Sequence, residues 1–310
     1  MFDITALGEI LIDFTPGKTA DNQSGVFVRN AGGAPANVLA AMAKFGAGTA
    51  FIGSVGKDMF GDFLIATLKE NGISTDGVVV DEEHNTTLAF VSLDESGDRD
   101  FSFYRRFGAD VFLRKEDINA DLIQNSRIFH FGSLSLTDEP AKSATHYALS
   151  LAKEAGCTVT FDPNWRELLW ESPQAFLTEV KNCLPMVDVL KVSAEEAAML
   201  TGKDDKLESA ELLLKEGPSI VLITDGGNGV TYAAKGISGH LPSLDVAVKD
   251  TTGAGDIFFG TFLYTLLRQT DLRLAVTREE LEHCVSKAIR ISGISTTQYG
   301  AIASIPDYNA

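Results

Sequence analysis

The sequence predicts an α/β fold: a mostly parallel central sheet with helices on both faces, and a small β-sheet beside it. Three observations predict it. Short strands rich in apolar and β-branched residues alternate with helical stretches along most of the chain, the order that builds parallel sheets. Two β-rich stretches, 11–30 and 77–110, break that alternation. With 310 residues, 45% of them hydrophobic, and no linker, repeat or low-complexity tract, the chain reads as a single domain over 1–310.

In chain order, residues 2–8 form the first strand, and 35–45 read as an apolar helix stopped by Gly46. A strand at 49–55 leads to a helix at 58–71, with Gly72 as its stop. Strands follow at 127–131, 158–162, 187–191 and 220–224, separated by helical stretches near 138–155, 174–184 and 193–216. Two long helices close the chain, near 254–268 and 278–294. In the second irregular stretch, 86–93 and 99–104 flank the polar turn Asp94-Glu95-Ser96-Gly97-Asp98 and read as a hairpin. Together the two stretches suit a small sheet. It serves either as a lid over a ligand cleft or as an edge that pairs with a second subunit in a homodimer.

The formal net charge is −17. So acidic a surface repels phosphate backbones and anionic lipids, which argues against nucleic-acid and membrane partners. An anionic ligand must then be held by charges built locally: backbone amides, a few arginines, metal ions. No apolar run reaches the roughly 18 residues of a spanning helix. The first residues read as a strand rather than a signal peptide. Cys157, Cys183 and Cys284 are scattered and odd in number, as expected of reduced thiols in a cytoplasmic protein.

Asp250-Thr251-Thr252-Gly253-Ala254-Gly255-Asp256, just before an apolar helix, is the strongest chemical signal. Glycines at a helix start leave backbone N–H groups free and aligned with the positive end of the helix dipole, an anion hole. A carboxylate at Asp256 is placed to take a proton from a substrate hydroxyl beside it. A plain Asp cap after a Gly turn is the alternative. Asn30-Ala31-Gly32-Gly33-Ala34-Pro35-Ala36-Asn37 is a second helix start, where glycines admit a ligand and Asn37 offers both donor and acceptor to a neutral polyol. Asp13, after the first strand, lies within reach of the same cleft. Thr224-Asp225-Gly226-Gly227-Asn228-Gly229 follows a strand, where α/β sheets receive ligands; a hairpin turn is the equal reading. Neither Gly-x-x-x-x-Gly-Lys-Ser/Thr nor an early Gly-x-Gly-x-x-Gly is present.

The chain resembles the ribokinase-like (PfkB) carbohydrate kinases over essentially its whole length. Two signatures carry the resemblance: residues 31–37 continuing to Gly53-Ser54-Val55-Gly56-Lys57-Asp58, and residues 250–256. The resemblance implies that Asp256 is the catalytic base and that Gly253, Ala254 and Gly255 frame the anion hole. It implies sugar binding by Asp13, Gly32, Gly33 and Asn37, and nucleotide binding by Thr224, Gly226 and Gly229. It implies a monovalent-cation loop, suited to K⁺, from Asp250, Thr252, Ser295, Thr297, Gly300 and Ser304. The family also uses Mg²⁺ with ATP.

Finer features are similar to the fructokinase branch: Phe103-Tyr104-Arg105 with Ala109-Asp110, residues 130–136, and Asp162-Pro163-Asn164-Trp165-Arg166. Tyr104, Arg105 and Arg166 are thereby implied as substrate contacts, and His130 as a packed strand residue. The family's Asn-x-x-Glu reads Ser193-Ala194-Glu195-Glu196 here. Glu196 keeps the acid implied to act on Mg²⁺ through water. Ser193, next to the nucleotide, replaces Asn. The implied reaction is phosphorylation of D-fructose by ATP to fructose 6-phosphate. A 2-keto-3-deoxygluconate kinase, a nucleoside kinase and a non-catalytic sugar sensor are the rivals.

Overall fold

The computed structural model describes residues 1–17, 25–93 and 99–310. The polar turn Asp94–Asp98 and part of the 11–30 stretch lie outside the described residues. The strands are β1 (Phe2–Leu7), β2 (Leu11–Gly17), β3 (Val26–Gly32), β4 (Thr49–Gly56), β5 (Ile73–Asp81), β6 (Leu88–Leu93), β7 (Arg99–Tyr104), β8 (Ser126–Gly132), β9 (Thr158–Asp162), β10 (Val189–Ser193), β11 (Ile220–Thr224), β12 (Val230–Ala234) and β13 (Ile237–Leu241). The helices are α1 (Ala34–Lys44), α2 (Met59–Glu70), α3 (Ala120–Gln124), α4 (Ala141–Glu154), α5 (Pro173–Cys183), α6 (Ala194–Thr201), α7 (Lys206–Leu214), α8 (Ala254–Thr270) and α9 (Arg278–Ser295).

Nine strands form the main sheet in the order β13-β12-β11-β10-β9-β8-β1-β4-β5. From β11 to β5 every pairing is parallel, while β12 and β13 add an antiparallel hairpin at one edge. The parallel strands are apolar on both sides, because helices cover both faces. One face packs Val38, Leu39 and Met42 of α1 against Phe259, Phe262 and Leu263 of α8 and Val285 of α9. The other packs Phe129, Phe131 and Phe161 against Leu149 of α4, Phe176 of α5 and Leu213 of α7. From β1 the chain steps to β4 and β5 on one side, and later from β8 to β11 on the other. The crevice opens at such a reversal, outside the carboxyl ends of the strands. Asp162, Ser193 and Thr224 close β9, β10 and β11 at that end.

The remaining strands form a four-stranded sheet in the order β3-β2-β6-β7. It docks on α2 through Phe14, stacked on Phe90 at 4.9 Å and edge-on to Phe60 at 5.8 Å, and through Arg29, 3.8 Å over the Phe63 ring. Two expectations need correction. Residues 77–81 belong to β5, the edge of the main sheet, so the small sheet draws its second half from β6 and β7 alone. The helix near 193–216 is two helices, because Gly202 takes a left-handed conformation (φ 70°) and ends α6.

The Gly53–Asp58 signature is structural. The Asp58 carboxylate accepts from the Phe60 and Gly61 amides at 2.9 and 2.8 Å, capping α2, and from the Thr86 amide at 2.8 Å. That ties α2 to the strand entering the small sheet.

Helix α8 crosses α1 where Gly260 has no side chain: a Cβ there would lie 2.8 Å from the Val38 carbonyl and 3.0 Å from Ala41 Cβ. This close crossing sets the distance between the two helix starts. Gly260→Val is expected to destabilise the fold by ~1–3 kcal/mol through overpacking and to lower turnover further than that loss explains. Thermal melts beside kcat measurements check both.

Candidate active site

Helices α1 and α8 begin side by side. Gly253 precedes α8 in the left-handed region (φ 72°), and a Cβ on it would strike Ala301 at 2.6 Å. No side chain caps α8, so the first-turn amides of Gly255 and Asp256 point outward with the dipole behind them. Gly33 precedes α1 at φ 111°, with its α-carbon against the Glu9 carbonyl. A side chain at Gly32 would run into the Asp13 carboxylate. One turn into α1, buried Asn37 donates from Nδ2 to Asp256 Oδ2 at 2.8 Å. The Asn37 Oδ1 has no hydrogen-bond partner among the described residues.

Around Asp256 lies a cluster that spacing did not reveal. Lys191, on β10, donates to Asp162 Oδ2 at 2.5 Å, and both are buried. Glu196 accepts from the Trp165 amide at 2.5 Å and the Ser193 amide at 2.6 Å, while Ser193 Oγ accepts from the Glu196 amide at 3.1 Å. That capping box fixes the start of α6 against the loop after β9. Burial and the Asp162 charge push the Asp256 carboxyl up to about 6, against the opposing pull of Lys191, the Asn37 hydrogen bond and Arg166. Burial alone would discharge Lys191, but Asp162, Asp256 and Glu196 outweigh it and hold its ammonium above the usual lysine range. His130 is buried, pushed down to about 3 and therefore neutral, with Nδ1 3.1 Å from Thr160 Oγ1.

A groove of about 250 Å³ runs from Gly255 to the turn after β11. Thr224, Gly226 and Gly229 line one end, Ala254 and Gly255 the other, and Leu244, Val248, Phe258 and Ile289 form its apolar walls. The Gly226 turn joins antiparallel β11 and β12, as the hairpin reading of this segment expects, and its glycines also line the groove. Beside Gly253, Asp250 accepts from Thr252 N and Oγ1 at 2.8 and 2.7 Å and from Gly300 N at 2.9 Å. The Asp250 and Lys249 amides in turn donate to the Thr296 carbonyl. This draws 250–252 onto the turn after α9. There Ser295, Thr297 and Ser304 hydroxyls donate to the Ser292, Ile294 and Ala301 carbonyls at 2.7, 2.7 and 2.9 Å.

The model of the pfkB family of carbohydrate kinases matches residues 1–308. The chain belongs to this family. It is 39% identical over 306 residues to a probable fructokinase-5 of Arabidopsis thaliana, covering 98% of this chain and 94% of the relative. Its structure matches that of an ATP-bound fructokinase from Xylella fastidiosa with a TM-score of 0.90 and 33% identity, over 100% of this chain and 97% of the other. A double mutant of the fructokinase from Vibrio cholerae O395, bound to fructose, ADP and potassium, matches with a TM-score of 0.87 and 32% identity, over 99% and 96%.

Within this pfkB kinase the residues singled out from sequence fall into two groups. Asp13, Gly32, Gly33, Asn37 and Gly253–Asp256 gather at the two helix starts, and the Arg166 charge acts on Asp256 from the loop after β9. Tyr104 and Arg105 instead line a separate hollow under β7 with Asp138 and Trp170. Tyr104 is exposed. Arg105 is turned inward: Nε donates to Asp110 at 2.7 Å, Nη1 to Thr137 Oγ1 at 2.8 Å and Nη2 to the Leu134 carbonyl at 2.8 Å. The guanidinium is thus paired with the neighbouring Asp110 carboxylate, and its charge also acts on Glu9 beside the start of α1. Sequence reasoning passed over Lys191 and Glu9, and quoted Asp162 within its segment without giving it a role. Glu9, buried and pushed up to about 7 by that burial, accepts from the Ala34 amide at 2.9 Å and pins the start of α1. The available signal was a charged residue inside an otherwise apolar strand or strand end.

If Asp256 is the base, as the sequence leads one to expect, it cannot accept a proton below its pKa, and kcat/KM for the sugar should rise with pH through an acid limb near 6. Asn37→Ala removes a donor that favours the carboxylate and should move that limb upward by about one pH unit. Steady-state pH profiles of the two proteins check this.

Proposed function

We propose that this carbohydrate kinase transfers the γ-phosphoryl group of ATP to a primary hydroxyl of a neutral sugar, D-fructose, giving fructose 6-phosphate, with Asp256 as the base. The observation that carries the reading is the Asp256 carboxylate, held at 2.8 Å by Asn37 where the glycine turn of α1 meets the groove ending at Gly255. Asp13, Asn37 and the Gly32–Gly33 turn hold the sugar. Its hydroxyl oxygen attacks the γ-phosphorus, its proton passes to Asp256, and the bond to the ADP oxygen breaks. The amides of Gly255 and Asp256 face the charge developing on the phosphoryl oxygens. The small sheet serves as a lid that excludes water.

Glu196, and water held by it, suits Mg²⁺, whose role is to neutralise the ATP phosphates; a buried carboxylate is the right donor for so hard a cation. Asp250, Thr252, Ser295, Thr297, Gly300 and Ser304 present only oxygen and backbone groups, a donor set that suits K⁺. The potassium held by the Vibrio cholerae protein supports the K⁺ assignment, and the fructose it holds, with the fructokinase names of the relatives, supports the sugar.

Arg105 favours fructose over 2-keto-3-deoxygluconate. A sugar acid would be met by a cation, and of the two arginines expected at the substrate, Arg105 is already paired with Asp110, which leaves Arg166 alone. A sensor has no use for a carboxylate set against an anion hole. Three unpaired, buried thiols support a reducing compartment such as the cytoplasm. Exposed Val26, Phe27 and Val28 on the edge strand β3 support pairing of two lids in a homodimer.

Asp256→Asn is expected to bind sugar almost normally and to lose ~10²–10⁴-fold in kcat, measured by ADP release. Near-normal turnover removes Asp256 from the role. In a sugar panel with and without potassium, D-fructose should give the highest kcat/KM, 2-keto-3-deoxygluconate the lower, and potassium should raise the rate. Preference for the acid overturns the fructose reading.

A further inference from the structure

Lys191 sits within β10 in the run Val189-Leu190-Lys191-Val192, all of it buried. A lysine is tolerated in a sheet interior only when its charge is matched. Asp162 supplies the match at 2.5 Å from the last residue of the neighbouring strand β9. The ammonium also faces the start of α8: a Cβ on Gly255 would lie 3.2 Å from Nζ and 3.6 Å from Cε. Gly255 therefore lets a full positive charge stand directly behind the first turn of α8, where the phosphoryl group arrives.

The groups around Asp256 come from every packed element. Asn37 approaches from α1, Asp162 from the end of β9, Arg166 from the loop beyond it and Lys191 from β10. Glu196, at the start of α6, faces Lys191 and Asp162, and neutral His130 on β8 lies near Lys191. Asn37 and Lys191 are both buried, and Arg166 is half-buried.

We propose that Lys191 is a positioning residue for phosphoryl transfer: pinned by Asp162 behind Gly255, its ammonium holds the Asp256 carboxylate in the proton-accepting form. This rests on Asp256 being the base. The sugar proton goes to Asp256, and Lys191 keeps its own throughout.

The test is the pH profile of kcat/KM in Lys191→Met, Lys191→Gln, Lys191→Arg and Asp256→Asn. In Lys191→Met the acid limb should move to higher pH. Its deficit should reach ~10-fold or more below the limb and shrink toward ~3-fold at alkaline pH, since each pH unit below a pKa is tenfold in ionised base. Lys191→Arg, which keeps the charge, should hold the limb near that of the native protein. Lys191→Gln, which removes the charge and keeps a polar side chain, should move the limb upward as Lys191→Met does. An equal loss at all pH values in Lys191→Met, with the limb unmoved, is the signature of mere packing and overturns the proposal. If that variant does not fold by circular dichroism, Lys191→Gln decides: a limb that stays or falls overturns it. The two readings fail separately, because near-normal turnover in Asp256→Asn sinks the base itself, whereas an inactive Asp256→Asn beside an unmoved limb sinks only the role of Lys191.

Discussion

The active site depends on one hydrogen bond across 219 residues, from the Asn37 amide to the Asp256 carboxylate. Neither residue reaches the other through local structure. Each occupies the first turns of a helix, and the two helices are held together by an apolar interface in which Gly260 of α8 has no side chain against α1. Overpacking at that crossing moves the helix starts apart. The glycines at 32, 33 and 253 then have a shared reason: at each, a Cβ would strike a neighbouring side chain or carbonyl, so the backbone comes as close as it can.

The second constraint is electrostatic. A protein of net charge −17 must bind a polyanion and keep a carboxylate in front of it. The fold can meet both demands by gathering positive charge locally. Helix dipole, first-turn amides, Lys191 and Arg166 converge on the start of α8 beside Asp256, and low-dielectric surroundings make such groups worth more than at the surface. The carboxylates of Asp162 and Glu196 keep Lys191 charged in the interior, and the same ion pair fixes its direction.

Much of this was legible in advance. The parallel sheet showed in strands that are apolar on both faces, and both helix starts showed in glycines, Pro35 and Asp256, because these features are local. The antiparallel β12–β13 edge did not show, since five-residue strands around Gly236 carry little pattern. The break at Gly202 was hidden by continuous helical periodicity on either side of it. Arg105 carries the same cation in either orientation, and only Asp110, Thr137 and the Leu134 carbonyl turn it inward.

By itself the sequence determined the order of strands and helices, the two glycine-rich turns and the family to which they point, because hydrophobic period, backbone freedom at glycine and helix-start chemistry are all written within a few residues. The tertiary structure alone decided that Asn37 touches Asp256, that Lys191 stands behind Gly255 and that Arg105 faces Asp110. Those relations join strands and helices distant in the chain, and they arise from packing, which no short window of residues contains.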